Sequence, residues 1–335
     1  MLKKMLIVLV LVSALFGEEY QEDSGYNLGE GAQIGTLPIY IGGYFSVDYK
    51  YKDSKSRYRI DDLAFLAYGN YNKLSYMAEF EFKELYTFSE ETSGFATKQD
   101  TSLHVERLYA DYNFNENYML RGGKYNSQVG FWNLLPINVL RDTTSNPIST
   151  YIIFPKFTTG LYASYTSYSE GDLKIDIMLQ HNNDIDPSYN NYIIDEYYAL
   201  GITYSKDAFE VKLNLGMFDN YMQNNTTQNL YYILASMKYE IEKLQVMSEV
   251  GTQSATDGFT TEYAGYLQAV YHLSEKHAAI LRLESYDDKF NDTQDDIAIF
   301  GYTYRPLYPV ALKAEYQFHS ISLQNQFLFS FSVLF

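Results

Sequence analysis

Apolar and polar side chains alternate with a period of two residues through most of this chain. Residues 327–335 show the pattern most clearly, because every odd position there is Phe or Val and the even positions are Leu or Ser. Successive side chains of a β-strand point to opposite faces of the sheet. The segment is therefore predicted to be a strand with one wholly apolar face.

The same alternation recurs along the chain. Residues 209–215 place Phe, Val and Leu on one parity, and Glu210, Lys212 and Asn214 on the other. Such runs are about as long as the tilted strands that cross a bilayer. A Lys or Arg that faces lipid at the bilayer midplane costs roughly 2–4 kcal/mol, so charges confined to one parity are expected where the other parity contacts lipid.

Short polar turns and mostly longer polar segments alternate strictly between these runs, which predicts about sixteen strands. The run at residues 57–71 has an ambiguous register, and residues 126–157 leave room for another strand pair, so about fourteen or eighteen strands are alternatives. The turns fall at residues 72–73, 115–117, 169–172, 206–207, 241–243, 274–276 and 305–307, and the longer segments at 52–57, 89–100, 126–157, 181–195, 219–228, 254–258, 287–293 and near His319.

The composition favours a membrane barrel over a soluble β-protein. The chain has 36 Tyr and 21 Phe residues, yet its mean hydropathy is only −0.29. Amphipathic aromatic rings gather at the two interfaces of a membrane protein. An exported β-sandwich has fewer and shorter strands, and a β-helix needs a short repeat that this sequence lacks. We therefore predict an all-β fold, a transmembrane antiparallel up-and-down β-barrel.

The N-terminus has the pattern of a secretory signal. Lys3 and Lys4 precede an apolar run at residues 5–12 that is too short to span a bilayer. We predict a signal peptide at residues 1–17, cleaved after Gly17, and a flexible periplasmic segment at 18–36. Residues 37–335 are then the barrel, located in a bacterial outer membrane and surrounded by its lipid.

Three stretches resemble known families. The aromatic end at Phe335 resembles the terminal strand of bacterial outer-membrane barrels, which implies recognition by the barrel-assembly machinery. Residues 126–157, after the fifth strand, hold the only Trp and many apolar side chains, and folding into the lumen would cover them. Their position resembles the constriction loop, loop 3, of sixteen-stranded general porins, and residues 109–131 resemble the phosphate-selective porin superfamily. The porin resemblance implies a homotrimer.

Charged residues on the polar parity are candidates for the pore. Their slight acidic excess predicts a weak preference for cations, although the same charges could instead form networks that stabilise the wall. The predicted pore constriction consists of Arg121, Lys124, Trp132, Arg141 and Asp142. The predicted lumen wall includes Glu79, Glu81, Arg107, Asp111, Lys212, Arg282, Lys313 and Glu315.

These features predict a porin for passive diffusion of small hydrophilic solutes and ions, without a cofactor. The net charge of −17 and the absence of clustered Lys and Arg argue against a nucleic-acid partner.

No enzyme is predicted. Ser102, His104 and Glu106 face outward on a predicted strand, and consecutive members of this set lie about 7 Å apart, which is too far for a proton relay. The scattered histidines suggest no metal site. A channel with a saturable phosphate, anion or sugar site, and a structural or adhesin barrel, are alternatives.

Overall fold

The computed structural model describes residues 26–91, 94–221, 226–321 and 324–335, and it is a closed antiparallel barrel of sixteen strands. The predicted strand number is confirmed. The predicted signal peptide lies outside the described residues. The barrel strands are β1 (Tyr40–Lys52), β2 (Lys55–Tyr71), β3 (Leu74–Glu91), β4 (Leu103–Asn113), β5 (Tyr118–Asn126), β6 (Phe157–Tyr168), β7 (Asp172–His181), β8 (Glu196–Lys206), β9 (Phe209–Tyr221), β10 (Thr227–Ile241), β11 (Leu244–Ala255), β12 (Gly258–Ser274), β13 (His277–Asp288), β14 (Thr293–Tyr304), β15 (Val310–His319) and β16 (Gln326–Leu334).

The two faces of the wall differ as the alternation predicts. On β7, Ile175 and Ile177 are exposed, whereas Asp176, Met178 and Gln180 are buried. The exposed apolar face points outward from the ring, and the buried face points toward the lumen. Across the described residues, no helix is long and apolar enough to span a membrane.

The barrel closes where β16 pairs with β1. Their register runs from Leu334 opposite Tyr44 to Gln326 opposite Lys52. Beyond this ladder, Phe335 and Gly43 exchange two backbone hydrogen bonds, each of 2.7 Å. A Cβ atom on Gly43 would lie 2.3 Å from the carbonyl oxygen of Ala64 and 2.9 Å from the Phe335 ring. The seam therefore requires glycine at this position.

A short strand pair precedes the barrel. Strand Tyr26–Asn27 pairs with Gly31–Gln33, and the second of these also pairs with β1 through Ala32 and Ile41. It thereby occupies the part of the β1 edge that β16 does not reach.

Bulges explain why the register of β2 was ambiguous in sequence. The pairing of β1 with β2 shifts between Ser46, opposite Asp62, and Val47, opposite Ile60, so Asp61 is an extra residue that exchanges the two parities. The pairing of β3 with β4 shifts in the same way at Glu106. Glu106 consequently joins the buried face, opposite to the exposed Leu108. The expectation that Glu106 faces outward is wrong for this reason.

The connections at one end of the barrel are short, and those at the other end vary. Segments 53–54 and 256–257 are as short as turns. Strand Gly94–Gln99 extends β3 as a hairpin. The longest connection, residues 127–156, is called loop 3 below. It holds two 3-10 turns (Trp132–Leu134 and Asn138–Leu140) and helix α1 (Ser149–Ile152), but no strand pair. Loop 4 is residues 182–195, with a 3-10 turn at Pro187–Tyr189.

Candidate functional site

Loop 3 is bound to the buried face of the wall, beginning at β11. The carboxylate of Glu249 accepts the backbone N–H groups of Phe131 at 2.5 Å and Trp132 at 3.0 Å. Lys212 on β9 donates to the carbonyl oxygen of Gly130 at 3.2 Å. Gly130 has a φ of +65°, and a Cβ there would lie 2.7 Å from the Glu249 carboxylate. This approach of backbone to wall therefore depends on glycine.

Two further wall carboxylates hold the second half of loop 3 in the same manner. Glu284 on β13 accepts the N–H of Ile148 at 2.9 Å. Glu315 on β15 accepts the N–H groups of Thr144 at 3.0 Å and Ser145 at 3.2 Å. Hydrogen bonds to a charged acceptor are stronger than neutral ones, so these carboxylates fix the course of the loop.

Wall cations bind the carbonyl and hydroxyl groups of the loop. Arg282 on β13 donates to Thr143 Oγ1 at 2.8 Å and to the Ser145 carbonyl oxygen at 3.1 Å. Lys313 on β15 donates to Asn138 Oδ1 at 2.7 Å. Arg282 is 0% exposed and Lys313 1%. Both charges are thus covered by loop 3, not presented to solvent.

Apolar packing joins the same surfaces. Val129, Ile153 and Phe154 of loop 3 belong to a buried cluster with wall side chains of β5 to β12. In the middle of the loop, Ile137 and Val139 pack with residues of β1, β2 and β15. The wall members of the first cluster are Tyr125, Tyr162, Met178, Tyr197, Ala199, Phe218, Leu230, Tyr232, Leu234, Ala255 and Ala264.

Three of the predicted constriction residues lie in loop 3. Trp132 is 3% exposed, packs edge-on against Tyr266 and donates from Nε1 to Asn146 at 3.1 Å. Arg141 also donates to Asn146, at 2.7 Å. Asp142 forms an ion pair of 3.6 Å with Arg305. These contacts brace the loop internally and against the wall.

The other two predicted constriction residues lie on β5 and have separate partners. Arg121 binds Asp111 through two hydrogen bonds of 2.6 and 2.8 Å. Lys124 is fully buried, pairs with Asp184 at 2.8 Å and donates to the Asp186 carbonyl oxygen at 2.8 Å. No contact described in the structure joins either cation to Trp132, Arg141 or Asp142, so the five residues do not form one cluster.

Buried acids line the wall at β3 and β4. Glu79 pairs with Arg107, and Glu81 accepts a hydrogen bond from the Tyr189 hydroxyl. Glu106 accepts hydrogen bonds from Tyr189 at 3.1 Å and from Tyr44 at 3.0 Å. Tyr189 belongs to loop 4, so these acids attach a second loop to the wall.

Partly exposed cations face this acidic wall from loop 3. Lys156 Nζ lies 5.1 Å from the Tyr151 ring centroid. Partial burial raises the pKa of Tyr151, but Lys156, a hydrogen bond from Asn146, and Arg141 together outweigh this effect and lower the pKa. Partial burial lowers the pKa of Lys156. Lys83 and Arg141 lower it further, whereas Tyr151 raises it. These groups therefore share one electrostatic region.

Sequence reasoning did not select Lys156 or Tyr151 as site residues, and it placed Glu249 and Glu284 only among the acidic residues of the lumen-facing parity. Glu249 and Glu284 share the polar parity of their strands, which was the available signal, but parity does not reveal that a loop backbone binds there. Of the predicted outward-facing set Ser102, His104 and Glu106, His104 Nδ1 contacts Asp186 at 3.0 Å, and no described contact joins it to Ser102 or Glu106. Within the described ranges, no three His, Asp or Glu side chains are placed to hold a metal ion.

Comparison with known proteins gives a fold but no family assignment by sequence. No family model and no curated protein matches the chain. An anion-selective porin from Comamonas acidovorans aligns at 14% identity and TM-score 0.58, over 89% of this chain and 99% of that one. Salmonella typhi OmpF in complex with daunomycin aligns at 12% and 0.59, over 89% and 97%.

A third structure, Vibrio cholerae OmpT in a trimer form, aligns at 11% identity and TM-score 0.58, over 89% of this chain and 99% of that one. Identities this low establish only a shared fold. The resemblance to porins predicted from the sequence is confirmed at this level. The chain has the closed sixteen-stranded barrel fold of outer-membrane porins and channels of Gram-negative bacteria.

Proposed function

We propose that the protein is an outer-membrane porin through which small hydrophilic solutes and ions diffuse, and that loop 3 crosses its lumen. One observation carries this proposal. Loop 3 leaves the wall at β5 and returns at β6, yet it binds Arg282 and Glu284 on β13, which lies halfway round the ring from β5. A segment tied to the lumenal face on both sides of a closed ring divides the space within it. A sixteen-stranded barrel is wide enough for an aqueous channel around such a segment.

The narrowest part of the path is proposed to lie between loop 3 and the acidic wall of β3 and β4. A small cavity of about 20 Å³ there is lined by residues that include Glu106, Trp132, Arg141 and Lys156. Such a volume holds about one water molecule, so this cavity marks where the loop and the wall meet and is not itself the path for solutes. The predicted constriction residues Trp132 and Arg141 border it. Arg121 and Asp142 are proposed to line the path elsewhere, whereas the buried Lys124 is proposed to hold loop 4 in place through Asp184 and Asp186.

The charges exposed at this position bear on ion preference. Glu79, Glu81 and Glu106 are buried, whereas Lys156 and Arg141 are partly exposed. The number of acidic and basic side chains on the polar parity predicts a weak preference for cations. That number does not take into account that the acids here are buried while the two cations are partly exposed. We therefore propose a weak preference for anions at the narrow point.

The outward apolar face supports a place in the outer membrane, in contact with its lipid. The trimer form of Vibrio cholerae OmpT supports a homotrimer for this protein by analogy of fold. We also propose that residues 326–335 are what the barrel-assembly machinery recognises, since they form the strand that closes the seam.

Planar-bilayer recording of the refolded protein tests the proposal. Stable open steps in a salt gradient, with a small reversal potential of the sign for anions, are the expected result. A folded barrel that gives no conductance steps would refute the channel and favour a structural barrel. Conductance with a clear reversal potential of the cation sign would refute only the proposed ion preference.

A further inference from the structure

A second cavity, of about 620 Å³, shares no lining residue with the one at the narrow point and lies at the end of the barrel that carries loops 3 and 4. Tyr151 and Ile152 of loop 3 and Tyr192 of loop 4 line it, together with the ends of β9 to β13 and the segment at Phe290. Its volume is within the range of small-molecule sites, roughly 300–1,000 Å³. None of the predicted pore residues lines it.

A network of hydrogen bonds fixes the wall of this cavity. Gln253 Nε2 donates to the Ile153 carbonyl oxygen at 2.9 Å and to the Tyr192 hydroxyl at 3.0 Å. Its Oε1 accepts from Thr260 at 2.6 Å. The Tyr192 hydroxyl donates in turn to the Ile152 carbonyl oxygen at 2.9 Å. Loops 3 and 4 and strands β11 and β12 are thereby joined at one side chain, so the cavity is formed before any ligand arrives.

The lining is aromatic and essentially uncharged. Tyr151, Tyr221 and Phe290 are 39%, 40% and 55% exposed. The structure describes no Lys, Arg or His among the lining residues. The one carboxylate, Asp288, accepts hydrogen bonds from the Phe290 backbone at 3.0 Å and from the Asn291 side chain at 2.7 Å. Its acceptor capacity is thus largely used within its own turn.

One polar atom on the lining has no partner. The side-chain oxygen of Gln228 is buried, and the described residues supply it with no hydrogen bond. A buried acceptor left unpaired is unfavourable. The oxygen has almost no exposed surface, so it would meet a ligand hydroxyl after the Gln228 side chain rotates toward the cavity. The amide of Asn220 lies on the same lining. Amides can donate and accept at once, which suits hydroxyl groups better than it suits an anion.

We propose that this cavity binds a neutral sugar, a mono- or disaccharide, before it enters the channel. The CH-rich face of a pyranose ring is apolar and packs on exposed aromatic rings, while its rim of hydroxyls matches the amides of Asn220 and Gln228. The uncharged lining disfavours inorganic anions. The inference rests on the proposed function in so far as the bound sugar is a transported solute, but binding itself requires no conductance.

Calorimetry on the refolded protein in detergent micelles tests binding, with glucose, maltose, sodium phosphate and the dipeptide diglycine as probes. We expect heat from at least one sugar and none from phosphate or diglycine. Phe290→Ala should weaken sugar binding about three- to tenfold, because one aromatic contact is removed. Gln228→Leu should weaken it as well. The matched control is Phe95→Ala, which removes a 65% exposed aromatic ring from the hairpin outside this cavity.

Heat-modifiable gel mobility verifies that each variant is folded. Sugar binding that Phe290→Ala and Gln228→Leu weaken, but Phe95→Ala does not, supports the inference. Binding of phosphate or diglycine in place of sugar overturns it, as does sugar affinity unchanged in both cavity variants. If bilayers show an open channel and calorimetry detects no sugar, the inference fails and the porin stands. If sugar binds but no channel opens, the proposed function fails and the binding site stands.

Discussion

Removal of the Glu249 carboxylate should release the first part of loop 3 from the wall. In Glu249→Ala, the N–H groups of Phe131 and Trp132 lose their acceptor. A hydrogen bond to a charged group contributes about 1.5–3 kcal/mol, so two of them amount to roughly 3–6 kcal/mol. Water in the released state recovers part of this, and we expect the lower end of the range.

A loss of about 3 kcal/mol raises the population of the released segment about a hundredfold. The loop remains held at Glu284 and Glu315, so the barrel itself should stay folded. Glu249→Gln keeps one side-chain oxygen as a neutral acceptor. Because neutral hydrogen bonds contribute only about 0.5–1.5 kcal/mol each, this variant should have an intermediate effect.

Trp132 reports on the release directly. It is the only Trp in the chain and is 3% exposed, so acrylamide should quench its fluorescence weakly in the wild type. Glu249→Ala should raise the quenching constant and shift the emission to longer wavelength, and single-channel traces should become noisier. Glu275→Ala, which removes an exposed carboxylate from a short turn, is the matched control. Wild-type quenching and wild-type current noise in folded Glu249→Ala would refute the anchoring role.

Three other outcomes are expected. Gly43→Ala should lower the temperature at which the barrel unfolds on heat-modifiable gels, because the new Cβ would lie 2.3 Å from a backbone oxygen. In the control Gly122→Ala, the new Cβ meets its nearest atom at 3.5 Å, so this variant should unfold like the wild type. Equal unfolding temperatures for the two variants would contradict this reasoning. Arg141→Gln with Lys156→Gln should move the reversal potential toward cation preference, and an unchanged potential would remove these residues from the selectivity region. Burial raises the pKa of Asp186, but hydrogen bonds from Ser188, the Val105 backbone and His104 outweigh it and lower the pKa. A carboxyl group with a lowered pKa stabilises the folded state at pH values above its pKa in the unfolded chain, about 3.9. This stabilisation is lost as the pH falls through the pKa of the folded state. Asp186→Asn should therefore be less stable than the wild type at pH 7, with the difference shrinking only below about pH 4; a difference that disappears already near pH 6 would contradict the assignment.

The barrel was predictable because lipid imposes a local rule on every strand. Charge on the outward face is costly, so the parity of residues such as Lys212 and Glu315 can be read from their neighbours in sequence. The rule fails at Asp61 and Glu106, where a bulge exchanges the two parities without any mark in the composition. A bulge is a property of two paired strands, and one strand read alone does not reveal it.

The candidate site was less accessible to this reasoning. Glu249 and Phe131 are 118 positions apart in sequence, and no local pattern specifies that a wall carboxylate binds the backbone of a loop. Arg121 and Lys124 were grouped with Trp132 because they are near it in sequence. In the structure they form ion pairs with Asp111 and Asp184, and no described contact joins them to Trp132.

The seam between β16 and β1 has a consequence for how damage to this protein would spread. In an open sheet, a lost edge strand leaves behind an edge of the kind that was already there. In a ring, loss of the contact between Phe335 and Gly43 followed by separation of the two strands creates two edges where there had been none. Each edge would carry a row of unpaired backbone groups into hydrocarbon, which supplies no water to satisfy them. The ring is therefore expected to fail as a whole, and a defect at the seam should affect the stability of strands on the far side of the barrel as strongly as that of its neighbours.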